Sequence, residues 1–174
     1  MFKRLNSLEI IDLSYNKLRS IHPRTFQNLL NLKKIILSFN NIGELDKNIF
    51  NGLNNLIEIK LVRNLLKKLD KFIFKGLVNL QCIKLEHNQL DEIDDFLFAD
   101  LNNLKSVDLS NNKIQLNHLS TNFLSGLSRL EWINLSNNGY KLDKLDLKIP
   151  QSLKFISFKN EIYGNDINSF LKMQ

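Results

Sequence analysis

Seven leucines divide the chain at an almost constant period. Leu8, Leu32, Leu56, Leu80, Leu104, Leu130 and Leu153 are separated by 24, 24, 24, 24, 26 and 23 residues. Each of the first six opens the pattern L-x-x-[IV]-x-L-x-x-N, which ends on Asn16, Asn40, Asn64, Asn88, Asn112 and Asn138. A second half runs in register. An apolar residue stands two positions after each Asn (Leu18, Ile42, Leu66, Leu90, Ile114, Tyr140), and Phe2, Phe26, Phe50, Phe74 and Phe98 form a column of rings. A period of this length limits the fold to stacked copies of one supersecondary unit.

The alternation L-x-x-I-x-L puts its apolar residues on one side of a short strand. One unit cannot bury that side alone. Stacking the units buries a continuous core and lines the strands up as a parallel sheet. The expectation is a curved repeat solenoid of the α/β class, with about seven strands on its concave face. Irregular or short helical segments are expected on the convex face. The Asn column has a separate task. Where the chain turns inward after each strand, a carboxamide offers donors and an acceptor to backbone groups hidden from water. The rings fill the far side. In the fifth unit the ring position becomes Leu124, and two extra residues between Asn112 and Leu124 predict an outer bulge.

The array resembles the leucine-rich repeat family in its 24-residue typical subclass, over about residues 2 to 160. The motif L-x-L-S-x-N and the segment Ile149-Pro150-Gln151-Ser152-Leu153 are similar to those of Toll-like receptor ectodomains and their insect relatives. The resemblance implies a non-catalytic recognition module of an extracellular or cell-surface receptor. Extracellular members usually close both ends with cysteine-rich caps, and this sequence has neither. Either it is a piece of a longer ectodomain, or it is a complete small protein whose first strand is an uncovered edge. The array is read as one domain over 1–174, with 1–7 a partial repeat. Residues 161–174 are expected to form a C-terminal cover, with a short helix near Asn165. Self-association through uncapped ends, or fraying from the N-terminal one, is expected.

Composition removes several classes. Hydrophobic residues make up 43% of 174, enough for a core, and 6 Gly with 2 Pro exclude collagen-like and linker chains. The single Cys82 excludes an intramolecular disulfide framework. No apolar run approaches membrane-span length, and the N-terminal residues carry no apolar signal core. His22, His87 and His118 lie in different units, in no metal-ligand spacing. No phosphate-binding, zincin or nucleophile-elbow motif is present. An enzyme is not expected, nor a cofactor or metal.

Function is therefore sought on the concave face, where the variable strand positions project. One column reads Ile10, Lys34, Glu58, Cys82, Ser106, Trp132, Phe155, and the next Asp12, Ile36, Lys60, Lys84, Asp108, Asn134, Ser157. A third, at the strand ends, reads Tyr15, Phe39, Arg63, His87, Asn111, Asn137. The candidate ligand-binding residues are Ile10, Tyr15, Ile36, Phe39, Lys60, Arg63, Lys84, His87 and Trp132, of types enriched in interfaces. Asn134, in the one N-x-S sequon, is the candidate glycosylation site should the chain be secreted. Lys67, Lys68 and Lys71 fall one period from Asp91, Glu92 and Asp95, which predicts ion pairing between units on the outer side. The expected partner is a protein or other macromolecule. An intracellular scaffold and a nucleic-acid-sensing array stay open as alternatives. The net charge of +6 suits the array, but the acidic fourth unit speaks against it.

Overall fold

The computed structural model describes residues 5–120, 122–139, 147–158 and 161–163. Seven three- or four-residue strands lie in parallel in sequence order. They are β1 (Ile10–Asp12), β2 (Lys34–Ile36), β3 (Glu58–Lys60), β4 (Cys82–Lys84), β5 (Ser106–Asp108), β6 (Trp132–Asn134) and β7 (Phe155–Phe158). Equivalent residues of consecutive units pair directly, as in Ile11↔Ile35 and Ile35↔Ile59. The solenoid inferred from the period is the fold observed. An eighth strand, β8 (Glu161–Tyr163), runs antiparallel to β7. The described part of the C-terminal cover is thus a strand. The helix expected near Asn165 lies outside the described residues, as do Phe2 and Tyr140.

The core is the repeat pattern made solid. Leu32, Ile35, Leu37, Leu56, Ile59 and Leu61 are fully buried, and so are Phe26, Phe50 and Phe74. The rings of Phe50 and Phe74 stack at 6.2 Å, and those of Phe74 and Phe98 at 6.4 Å. Paired strands stand only about 4.8 Å apart. A ring layer with a longer pitch than the strand layer bends the stack, so the sheet takes the inner side. The outer segments are turns closed by i+3 to i bonds such as Leu53 N to Phe50 O. Among the described residues there is no α-helix, and the outer segments are turns with one short 3-10 element, within the irregular or short helical character expected. The extra residues of the fifth unit form a 3-10 turn, Leu116–His118, tied to the next unit by Leu116 N to Gly139 O at 3.0 Å. Leu124 takes the ring position and Phe123 packs beside it, both buried.

Two Asn columns tie unit to unit. Asn40, Asn64, Asn88 and Asn112 are buried, and each carboxamide bridges two units. Asn64 Oδ1 accepts from Ile42 N–H at 3.0 Å, and its Nδ2 donates to Leu37 O at 3.0 Å and Leu61 O at 3.2 Å. Asn138 repeats the scheme toward Ile114 and Leu109. Asn16 is exposed and bonds only Leu13 O and Ser14 O of its own unit. The second column, Asn31, Asn55, Asn79 and Asn103, was missed in the sequence. Each donates to a backbone carbonyl of the preceding unit, at 2.6 to 3.0 Å. Its signal was an Asn immediately before Leu32, Leu56, Leu80 and Leu104.

At the β1 end, Leu5 is 46%, Ile10 55% and Tyr15 75% exposed, although Ile11 is buried. Amide hydrogen exchange of this chain is expected to be faster over residues 5–31 than over 56–110, since units with two neighbours open less readily than one with a single neighbour. Equal protection in both segments would mean that the β1 edge is covered in solution.

Candidate binding surface on the concave face

Strand alternation presents the first and third residues of each strand on the inner side. The register of β2, β3 and β4 sets Ile36, Lys60 and Lys84 side by side, as the columns required. The charges there are largely matched within the protein. Glu58 Oε2 lies 2.5 Å from Lys34 Nζ, and Glu58 Oε1 lies 3.2 Å from Lys60 Nζ. Burial alone would raise the Glu58 pKa, but the bonds from the two lysines outweigh it and hold the carboxyl below its ordinary value. Lys84 Nζ lies 3.7 Å from Asp108 Oδ2 and 4.5 Å from the centre of the Trp132 ring. Lys34, Lys60 and Lys84, the lysines of the two strand columns, thus belong to an internal ion-pair network. Trp132 belongs to it as the ring under Lys84.

The strand-end column behaves differently. Each unit turns inward there through a residue in the left-handed region: Tyr15 (φ 55°), Phe39 (58°), Arg63 (52°), His87 (58°), Asn111 (55°) and Asn137 (54°). A second left-handed column on the outer side holds Asn28, Gly52, Gly76, Asp100 and Gly126, residue types that take this conformation readily. Asn111 and Asn137 follow the same rule. Tyr15, Phe39 and Arg63 do not, and a bulky side chain at positive φ costs about 1 kcal/mol or more. These three side chains meet one another. Tyr15 and Phe39 stack face to face with centroids 4.2 Å apart, and the Arg63 guanidinium carbon lies 5.6 Å from the Phe39 centroid. Among the described residues Arg63 has no ion pair. Exposed His87 continues the column.

Glu86 was not singled out in the sequence. It occupies a column that otherwise reads Ser14, Ser38, Val62, Ser110, Ser136. The serines have local partners there. Ser110 donates to Asp108, Ser136 to Asn134, and Ser38 Oγ accepts from Val62 N. A carboxylate is too long for that role. Half-buried Glu86 is left with Oε2 unpartnered, one position from His87. Burial raises its pKa and repulsion from Asp108 adds to this, against a hydrogen bond from its own backbone N–H and attraction from Lys84 and Lys60. A carboxyl with a raised folded-state pKa supports the fold fully when protonated, and that support is lost as pH rises through the raised value. Glu86→Gln is therefore expected to raise the urea midpoint at pH 7, by an amount limited by the water that still reaches the group. The difference from wild type should vanish below about pH 4, where free glutamate protonates. A midpoint that drops at pH 7 would mean Glu86 makes a bond in solution.

The remaining candidates are placed as follows. Ile10 is exposed at the β1 edge, and Ile36 is half-buried in the second column. Cys82 is a half-exposed free thiol at the start of β4. Asn134 is half-buried on β6, its Oδ1 accepting from Ser136 N and Oγ. On the outer side Lys68 pairs with Glu92 at 2.9 Å. Lys67 and Lys71 form no such pairs with Asp91 and Asp95. Lys71 lies over aromatic rings instead. Among the described residues no cluster of His, Cys, Asp and Glu could hold a metal, and no helix is long and apolar enough to cross a membrane.

A parallel strand, an inward Asn turn and a ring-filled outer turn repeated at this period define a leucine-rich repeat array. The chain belongs to the leucine-rich repeat family. A profile described as a BspA type leucine rich repeat region matches it in six copies, over residues 1–86, 19–146 and 64–171. No curated protein matches it. Among solved structures it is similar to that titled "Crystal structure of TLR13-ssRNA13 complex". The match is 32% identical over 73% of this chain and 18% of that one, with a TM-score of 0.64. It is also similar in fold to the leucine-rich repeat domain of APL1B, at 24% identity over 90% of this chain and 45% of that one, with a TM-score of 0.76. The chain thus spans less than half of either neighbour.

Proposed function

We propose that the chain is a non-catalytic recognition module, binding a protein through the strand-end column Tyr15–Phe39–Arg63–His87. One observation carries the reading. Three neighbouring units keep bulky aromatic or cationic residues at a left-handed turn that Asn makes at lower cost in the fifth and sixth units. Stability alone would favour Asn at all of them. Stacked aromatics next to an arginine without an ion pair are typical interface anchors. Ile36 widens the apolar floor, while Lys60, Lys84 and Trp132 brace the sheet through their internal contacts and steer encounter. The family and the neighbouring folds support a binding role. A place in a Toll-like or other extracellular receptor, with Asn134 glycosylated, is the finer form of the same reading.

A photoreactive benzoylphenylalanine at position 39 is expected to capture the partner, and one at the exposed outer position 128 to capture nothing. Capture from 128 with none from 39 would assign binding to the other face. A second reading, single-stranded nucleic acid, draws on the RNA complex of the TLR13 neighbour and on stacked rings as base platforms. The pairing of Lys60 and Lys84 with acids leaves the concave face without a continuous cationic track for phosphates. A salt titration with single-stranded RNA decides it, since phosphate contacts give affinity that falls steeply with salt.

A further inference from the structure

A second surface lies on the outer side of units two to four. At the start of each outer turn an acidic side chain accepts the backbone N–H two residues on: Asp46 from Asn48, Asp70 from Phe72, and Asp94 from Phe96. The turn is the same in all three. Its third position is polar in Asn48, and polar again in Arg24 and Asn122 of other units, so the fold does not call for a ring there. Yet Phe72 is 49% and Phe96 62% exposed.

The surrounding charge is arranged by unit. Lys71 Nζ lies 5.1 Å from the Phe72 centroid and 6.0 Å from that of Phe96, and Lys75 Nζ lies 5.7 Å from Phe72. Lys47, Phe72 and Lys75 line a groove of about 440 Å³ between units two and three. Among the described residues none of Lys47, Lys71 and Lys75 forms an ion pair. One unit further, the column that holds Lys47 and Lys71 holds Asp95, beside Asp94, both exposed. Asp46, Asp70 and Asp94 are exposed in all three units, so the asymmetry lies in the neighbouring column: the two open rings have Lys47, Lys71 and Lys75 on one side and the additional carboxylate of Asp95, next to Asp94, on the other.

We infer that this outer patch docks a bipolar protein segment: acidic where it crosses Lys47, Lys71 and Lys75, apolar over Phe72 and Phe96, and basic where it reaches Asp94 and Asp95. Charge complementarity selects this occupant. An anionic membrane or a nucleic-acid backbone would meet the lysines but be repelled by the aspartates. A peptide can reverse its charge within a few residues. The site is separate from the concave column.

The test uses three labelled peptides with one leucine–phenylalanine core, flanked by glutamates and lysines at opposite ends, by glutamates at both ends, or by lysines at both ends. Vesicles of phosphatidylserine and phosphatidylcholine are the fourth probe. The bipolar peptide is expected to bind best. Its affinity should fall at least about 10-fold in Lys71→Glu/Lys75→Glu, in Phe72→Ser/Phe96→Ser and in Asp95→Lys. It should be unchanged in the concave variant Phe39→Ala/Arg63→Glu. The substituted outer side chains are exposed, so the urea midpoint should stay near wild type. Binding to none of the peptides, equal binding to all three, or vesicle adsorption abolished by Phe72→Ser would each overturn the proposal.

Discussion

Asn64→Ala is expected to unfold at a much lower urea concentration than the wild-type chain. Asn64 is buried at the centre of the stack and serves three backbone groups in two units at 3.2 Å or closer, with a longer fourth bond to Val62 O at 3.4 Å. The two carbonyls keep a second donor, Leu37 O from Asn40 and Leu61 O from Asn88. The Ile42 N–H has no such substitute and is left unpaired inside the protein. An orphaned buried donor costs about 1–3 kcal/mol, and weakening both carbonyls adds to it, for a total near 2–4 kcal/mol. That is a large part of the stability of a single domain. Asn16→Ala, confined to its own exposed turn, should lose less than about 1 kcal/mol, and Asn54→Ala, on the outer side, almost nothing. Equal urea midpoints for Asn64→Ala and Asn54→Ala would show that the column does not seal the turns.

Phe39→Ala/Arg63→Glu is expected to weaken binding of the partner captured at position 39 by about 100-fold, chiefly through faster dissociation. Unfolding should respond weakly, because the pair stands at the rim and not in the core. The single change Arg63→Asn separates anchor from scaffold more sharply. It removes a cation–π contact of about 0.5–1 kcal/mol at an exposed site and relieves a comparable left-handed penalty. The urea midpoint should therefore hold or rise while affinity falls. If Arg63→Asn instead destabilises the chain and leaves binding intact, the column is structural. Charge reversal at Lys60 or Lys84 is a poorer probe than the sequence alone suggests. It would set a carboxylate against Glu58 or Asp108 and disturb stability along with encounter.

The concave columns were legible because strand alternation and a fixed period leave no freedom in register. Ile36, Lys60 and Lys84 had to adjoin one another, and do. The pairing of those lysines was not legible. Glu58 stands in the neighbouring column, and periodicity orders residues along a column without saying which long side chain leans across to the next. The same applies to Lys71, which on spacing faces Asp95 but lies over Phe72 and Phe96. Glu86 escaped notice because it is unusual only against the serines of its own column. The orphaned oxygen that makes it informative is a property of burial.

The sequence by itself determined the unit, the number of parallel strands, the core leucines and rings, and which residues share the inner face. All of these follow from a period that admits one way to bury the apolar side. Only the tertiary structure decided the rest. It gave the outer segments their particular turns, set β8 antiparallel on β7, and placed Tyr15, Phe39 and Arg63 in one stack at left-handed turns. The reason is physical: periodicity fixes where a backbone position falls in the stack, whereas the φ it adopts and the neighbour its side chain reaches depend on packing between units.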